Sequence, residues 1–287
     1  MAKLLKGKAV ADNLTARTKR KVERLRKEGI VPLLAIVRIG EKPGDLSYEK
    51  GALKRAAETG IEVRQLIYGE TVSQESLLQD IRKLNEDEAV HGVLIFRPLP
   101  EHIDDGKVCG ALKAEKDVDG VTAGSMAGVF TDSGEGYPPC TAEACMALLD
   151  HYDVELTGKK VTVMGRSLVI GKPVAMMALK RNATVTICHS RTAPQDFAAS
   201  GQCADVVIAA VGKAEIIGAD SLGSGQVIVD VGVNVSDSGK LCGDVAFAEA
   251  EAKAAMLTPV PGGVGSVTTA VLMEHVAQAA EAAAKRR

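Results

Sequence analysis

Residues 159–173 read KKVTVMGRSLVIGKP. Val161, Val163 and Met164 form an apolar run that Gly165 closes, and Gly171 opens the segment that follows. β-Branched residues ending on a glycine predict a strand, and the stretch after Gly171 predicts a helix. A glycine turn between a strand and a helix N-terminus is where backbone N–H groups hold a pyrophosphate. The spacing here is G-x-S-x-x-x-G, which departs from the usual dinucleotide fingerprint, so the turn alone also fits a plain strand-to-helix connection.

Roughly 25 residues on, the next predicted strand ends in CHSRT (188–192). A cofactor with an unphosphorylated ribose would meet an Asp or Glu there. His189, Ser190 and Arg191 instead offer donors and positive charge, and Arg166 stands in the first turn, a set that suits a 2′-phosphate. The residues therefore favour NADP over NAD. Further strands are predicted at 183–190, 204–212 and 225–234, so the second half of the chain forms its own α/β unit.

The first half repeats the alternation. Val10, Leu14, Val22 and Leu25 place an amphipathic helix over 9–28, and PLLAIVRIG (32–40) reads as a strand. A helix over roughly 47–59, a strand at 61–69, a helix at 74–85 and a strand at 91–100 follow, which predicts βαβαβ and a parallel sheet. A loop-rich stretch (101–140) leads into a helix near 141–150, and an Ala-rich helix starts at about Val267. The expected division is residues 1–140 with the terminal helix 267–287 as one domain, and 141–266 as a Rossmann-like second.

With 46% hydrophobic and 25% charged residues, the 287-residue chain can bury a sizeable core. A formal net charge of −2 without blocks of like charge gives no footprint for nucleic acid or an acidic membrane. The absence of Trp removes the usual base-stacking platforms. The N-terminus has no apolar signal segment, so a cytoplasmic protein acting on small molecules is expected. Six cysteines form no CxxC pair and five histidines no HExxH, so reduced thiols and no metal site are expected.

Several stretches together resemble the methylenetetrahydrofolate dehydrogenase/cyclohydrolase family: DLSYEKGALKR (45–55), HGVLIFRPLP (91–100), KDVDG (116–120), PPCT (138–141), GRSLVIGKP (165–173), VIVDVGVN (227–234) and TPVPGGVG (258–265). They run in the family's order over nearly the whole chain. The resemblance implies two α/β domains flanking a cleft, the second binding NADP, and a homodimer joined through that domain. It also implies one site that oxidises methylenetetrahydrofolate with NADP and hydrolyses the methenyl product to formyltetrahydrofolate. Carried onto this chain, it assigns Tyr48 and Asp119 to catalysis and folate binding. Pro261, Gly262 and Gly263 fall to the folate side, and Thr141, Gly165, Arg166, Ser167, Gly171, Ser190, Arg191, Gly232 and Val233 to the cofactor. Ser266 stands where the family has proline.

Hydride loss needs no protein base, because two nitrogens flanking the one-carbon bridge expel it; positioning is the requirement. An ionised Asp119 can accept paired hydrogen bonds from a pterin edge. Hydrolysis differs. The family's lysine four residues after the tyrosine, implicated in its proton transfers, is Ala52 here, and its glutamine in the strand before PLP is Phe96. At about 100° per residue, Lys50 and Lys54 fall on the far side of the helix from Tyr48. Arg55 returns to the right face further along but does not deprotonate. Arg97 has no assignable role.

The leading expectation is thus an NADP-dependent dehydrogenase with weak or absent hydrolysis. The full bifunctional enzyme and a silent module that senses NADP or folate stay open beside it.

Overall fold

The computed structural model describes residues 2–236 and 239–286. In chain order the elements are β1 (Lys3–Leu4), α1 (Gly7–Lys27), β2 (Leu33–Ile39), α2 (Pro43–Thr59), β3 (Glu62–Tyr68), α3 (Gln74–Glu86) and β4 (Gly92–Ile95). Next come α4 (Asp105–Ala111), α5 (Ala123–Thr131), α6 (Cys140–His151), β5 (Lys160–Met164), α7 (Gly171–Lys180), β6 (Thr184–Cys188), α8 (Pro194–Gln202) and β7 (Val206–Ala209). The chain ends with β8 (Val227–Asp230), β9 (Asn234–Val235), β10 (Leu241–Cys242), α9 (Phe247–Lys253), β11 (Met256–Leu257) and α10 (Thr268–Lys285). It divides into two compact units, one of Asp12–Cys140 with Thr269–Arg287, the other of Met1–Ala11 with Thr141–Thr268.

The first unit is built on a three-stranded parallel sheet in the order β3-β2-β4. Alternation along β2 sends Ala35, Val37 and Ile39 to one face, where Leu77 and Ile81 of α3 and Val108 of α4 cover them. Helix α3 starts where the Ser73 side chain accepts the Ser76 N–H at 3.2 Å, and α2 starts on Pro43, whose missing N–H costs nothing at a first turn. Glu49, Ala52, Ala56 and Thr59 form the buried face of α2. There Arg38 of β2 donates to Glu49 at 2.7 Å, and Gln65 of β3 donates to the other carboxylate oxygen at 2.7 Å. Both members of the ion pair are about 5% exposed or less. This pair fixes the helix that carries Tyr48 to its sheet.

In the second unit six strands run in the order β1-β11-β8-β7-β5-β6, every pairing parallel. Met164, Val207, Ala209, Ile228 and Leu257 form its core together with Ala250 and Ala254 at α9. Residues 1–11, expected with the first unit, belong here, which corrects the sequence-based boundary. The cause is β1: Lys3 N–H donates to Ala255 O at 2.8 Å and Leu5 N–H to Leu257 O at 2.9 Å, adding an edge strand too short to show a pattern. The stretch expected to be loop-rich contains α4 and α5. Thr122 caps α5 by accepting the Ser125 N–H at 3.1 Å.

Removing one partner of a buried ion pair strands the other charge. Glu49→Ala should therefore destabilise the protein by about 3–5 kcal/mol, whereas Arg38→Met with Glu49→Leu should cost little or nothing. Denaturant melts of the two variants check this; equal losses would show that the pair's shape, and not its charge, holds α2.

Candidate functional site

Chain order reverses beside β5: β6 pairs on one side of it and β7 on the other. In parallel sheets such a switch point is where ligands meet the C-terminal ends of strands. Gly165 leaves β5 with φ 131°, and a Cβ there would stand 2.1 Å from Ala210 O at the end of β7. Only glycine permits that approach. Ser167 accepts the Ile170 N–H at 3.1 Å on its hydroxyl and the Lys172 N–H at 3.0 Å on its carbonyl, folding the turn onto the start of α7. The first turn of α7 has no side-chain cap and no acidic residue, so its positive end is left for an anion.

The remaining cofactor-side positions gather along the same edge of the second unit. Ser190 and Arg191 are exposed just beyond β6. The Arg191 N–H donates to His189 Nδ1 at 3.1 Å, closing the turn that presents them. Gly232 and Val233 leave β8, and Thr141 lies in the first turn of α6. Uncapped helix end, glycine approach and exposed Arg166, Ser190 and Arg191 without a carboxylate together fit a dinucleotide carrying a 2′-phosphate. The sequence reading did not single out the loop leaving β7, Val211 to Lys213, which reaches the same edge; its AVGK run gave no signal beyond a glycine at a strand end. Pro261, Gly262 and Gly263 form the turn after β11, where Gly7 N–H donates to Gly262 O at 2.8 Å.

In the first unit Tyr48 is half-buried on α2, and its ring meets Phe96 edge to face, centroids 5.9 Å apart at 81°. Ala52, one turn further along, is fully buried. Lys50 and Lys54 are exposed. Arg55 turns to α1, donating to Thr15 Oγ1 at 2.9 Å and to Glu58 at 3.2 Å. No printed contact brings an amine to the Tyr48 ring among the described residues, and the surface beside it is apolar.

Asp119 is half-buried. Burial pushes its carboxyl up to about 7, and the neighbouring Asp117 adds to this; a hydrogen bond from Cys140 and the charge of Arg97 oppose it. Cys140 is a buried thiol that also donates to Val118 O at 3.3 Å. His275 reaches the same carbonyl at 2.9 Å through Nδ1, which must carry its proton because a carbonyl only accepts. Arg97 is gripped by both oxygens of Asp105, with Nε at 2.8 Å. Cys140 and Arg97 thus join Asp119, a pairing that sequence spacing did not reveal. Asp117 is spent on structure, accepting from Val121 and Thr122 N–H and from Ser125 Oγ. Among the described residues no three His, Cys, Asp or Glu side chains stand together to hold a metal ion, and no helix is long and apolar enough to cross a membrane.

Residues 139–284 match the NAD(P)-binding domain of the tetrahydrofolate dehydrogenase/cyclohydrolase family, and residues 5–119 match its catalytic domain. The chain belongs to the tetrahydrofolate dehydrogenase/cyclohydrolase family. It is 44% identical to the bifunctional protein FolD of Alkaliphilus oremlandii, covering 97% of each chain, and 45% identical to that of Clostridioides difficile, covering 96% of each. Among solved structures it resembles the bifunctional FolD enzyme of Campylobacter jejuni, with a TM-score of 0.94 and 36% identity over 98% of this chain and 99% of that one. The FolD of Trypanosoma brucei, solved with NADP cofactor and inhibitor, gives a TM-score of 0.93 at 33% identity, covering 99% of both chains. The family membership and the two-unit α/β fold with its Rossmann-like parallel sheet agree with the sequence reading.

The raised Asp119 has a sign that can be checked. Between about pH 4 and pH 7 the folded chain keeps a proton there that the unfolded chain has released, so this group's contribution to stability falls as pH rises through that window. The melting temperature should therefore drop less between about pH 5 and pH 8 in Asp119→Asn than in the parent. Equal drops would place the carboxyl near its ordinary value.

Proposed function

We propose that this chain oxidises 5,10-methylenetetrahydrofolate to the 5,10-methenyl form with NADP and then hydrolyses that product to 10-formyltetrahydrofolate. The observation that carries the hydrolytic half is the naming of its relatives: proteins 44–45% identical over almost their full length are bifunctional. NADP as the cofactor is supported by Arg166, Ser190 and Arg191 and by the NADP held in the Trypanosoma brucei neighbour.

NADP supplies the hydride acceptor. The rest falls to the chain. Asp119, ionised above about pH 7, accepts paired hydrogen bonds from the pterin and fixes its orientation. Tyr48 and Phe96 supply ring surface beside it. The Pro261–Gly263 turn brings backbone close to the ligand. None of these groups must take a proton for hydride to leave, so positioning suffices for the first reaction.

A second reading, slow or absent hydrolysis, is favoured by one observation: fully buried Ala52 and the Phe96 ring occupy the places where a lysine and a glutamine would serve the water. A positioned base contributes roughly 10²–10⁴-fold to such a step. Arg55 is no substitute, being turned to Thr15. The two readings part in one experiment: purified protein, methylenetetrahydrofolate and NADP, with NADPH and methenyl product followed separately against protein-free methenyl decay. NADPH formation without methenyl accumulation supports the bifunctional reading. Methenyl that accumulates and decays at the background rate supports the second, and Ala52→Lys with Phe96→Gln should then raise hydrolysis by roughly 10²-fold or more. No NADPH at all would overturn both.

We also propose a homodimer through the second unit. Val233, Val235 and Leu241 are 65, 66 and 51% exposed on and beside the β9–β10 hairpin, with Ile216 at 52% nearby in the same unit. Apolar side chains so placed suit a self-complementary contact between two copies. Val235→Lys with Leu241→Glu should shift the protein to monomer in analytical ultracentrifugation; an unchanged sedimentation coefficient would move the contact elsewhere.

A further inference from the structure

We infer that Asp244, buried between β10 and α9 and assigned no role above, is a positioning residue for the nicotinamide half of the cofactor. The inference rests on the NADP reading. Asp244 is fully buried, and four donors converge on its carboxylate. One oxygen accepts from Val211 N–H at 2.5 Å and Gly212 N–H at 3.0 Å. The other accepts from Lys213 N–H at 3.0 Å and from Asn234 Nδ2 at 2.9 Å.

Val211 to Lys213 is the loop leaving β7, and Asn234 follows Gly232 and Val233 out of β8. One carboxylate therefore ties together the two loops at the C-terminal ends of adjacent strands. Their contact is close: a Cβ at Gly232 would stand 2.2 Å from Asp244 Oδ1. Asp230, at the end of β8, holds Asp244 in turn. It accepts the Gly232 and Asp244 N–H groups on one oxygen at 3.0 Å each and the Val245 N–H on the other at 2.9 Å. Two carboxylates in series thus set the backbone of both loops.

The position of this lock makes it more than a general support. A Rossmann-like sheet holds its dinucleotide in two mononucleotide halves on either side of the switch point. Gly165, Arg166, Ser190 and Arg191 lie at the ends of β5 and β6 and mark the adenosine half. The loops fixed by Asp244 lie at the ends of β7 and β8, on the nicotinamide side. Hydride transfer depends on ring placement at the scale of an ångström or less. Replacing the carboxylate by an amide keeps the size but turns an NH2 toward at least one of the backbone donors, so one loop must shift.

The test compares Asp244→Asn with the parent in binding 2′,5′-ADP, which carries only the adenosine half with its 2′-phosphate, and in binding whole NADP. The expected result is 2′,5′-ADP affinity within about twofold of the parent, NADP affinity about tenfold weaker, and a lower kcat for methylenetetrahydrofolate oxidation at saturating NADP. Loss of both affinities together would reduce Asp244 to a structural group, and no change in either would show that the loops do not need it; both overturn the inference. If Asp244→Asn does not fold, Asn234→Ala removes a single donor and should give the same split at about threefold, with its absence again decisive. A parent that binds neither 2′,5′-ADP nor NADP would overturn the cofactor reading itself, and the inference with it.

Discussion

The approach of Gly165 to Ala210 is the constraint on which the second unit turns. Strands β5 and β7 stay paired until Ala210 N–H meets Met164 O at 2.7 Å, and the two chains then leave in opposite directions. A side chain at 165 would have its first carbon 2.1 Å from a backbone oxygen, so any other residue would push the strands apart where they must still pair. Everything assigned to the cofactor follows from that closure: the α7 start, the turn beyond β6 and the loops beyond β7 and β8 meet along one edge. An all-parallel sheet buries its faces and leaves its strand ends for ligands, so the chemistry has nowhere else to go in this unit.

Much of this was legible in the sequence because the physics is local. Apolar runs that end on glycine gave β5 and its turn, and the βαβαβ alternation of the first half gave the β3-β2-β4 sheet. What escaped depends on partners far along the chain. Strands β1 and β11 are two residues each, too short for a period of two to register. Helix α5 carries two glycines in AGSMAGVFT, a poor helix former that the Thr122 cap helps to hold. Asp230 and Asp244 read as ordinary turn aspartates, and only the fold shows that they receive seven hydrogen bonds between them. Arg97 and Cys140 looked equally bland until they were found beside Asp119.

The environment of Tyr48 combines two opposite choices on one helix. Glu49 is buried and charged, and it is tolerated because Arg38 and Gln65 satisfy it. Ala52, three residues later on the same buried face, is apolar, and Phe96 faces Tyr48 with a ring edge. Buried charge is thus spent on holding α2 in place and is withheld from the position where a base would act.

Ala52 and Phe96 are therefore best understood as one unit. A lysine introduced alone at 52 would lead from a fully buried Cβ toward an aromatic ring that offers no strong acceptor, and a glutamine alone at 96 would have no cationic partner. Each single change exposes the cost of an unpaired polar group, and only the pair can recover it through a mutual hydrogen bond. The coupling between the two positions, measured by a double-mutant cycle, should accordingly be large and favourable in both stability and hydrolysis. Such a coupling would explain why apolar residues occupy both positions together: a half-polar pair is the least stable of the four combinations, so a chain leaving one state is driven to complete the exchange.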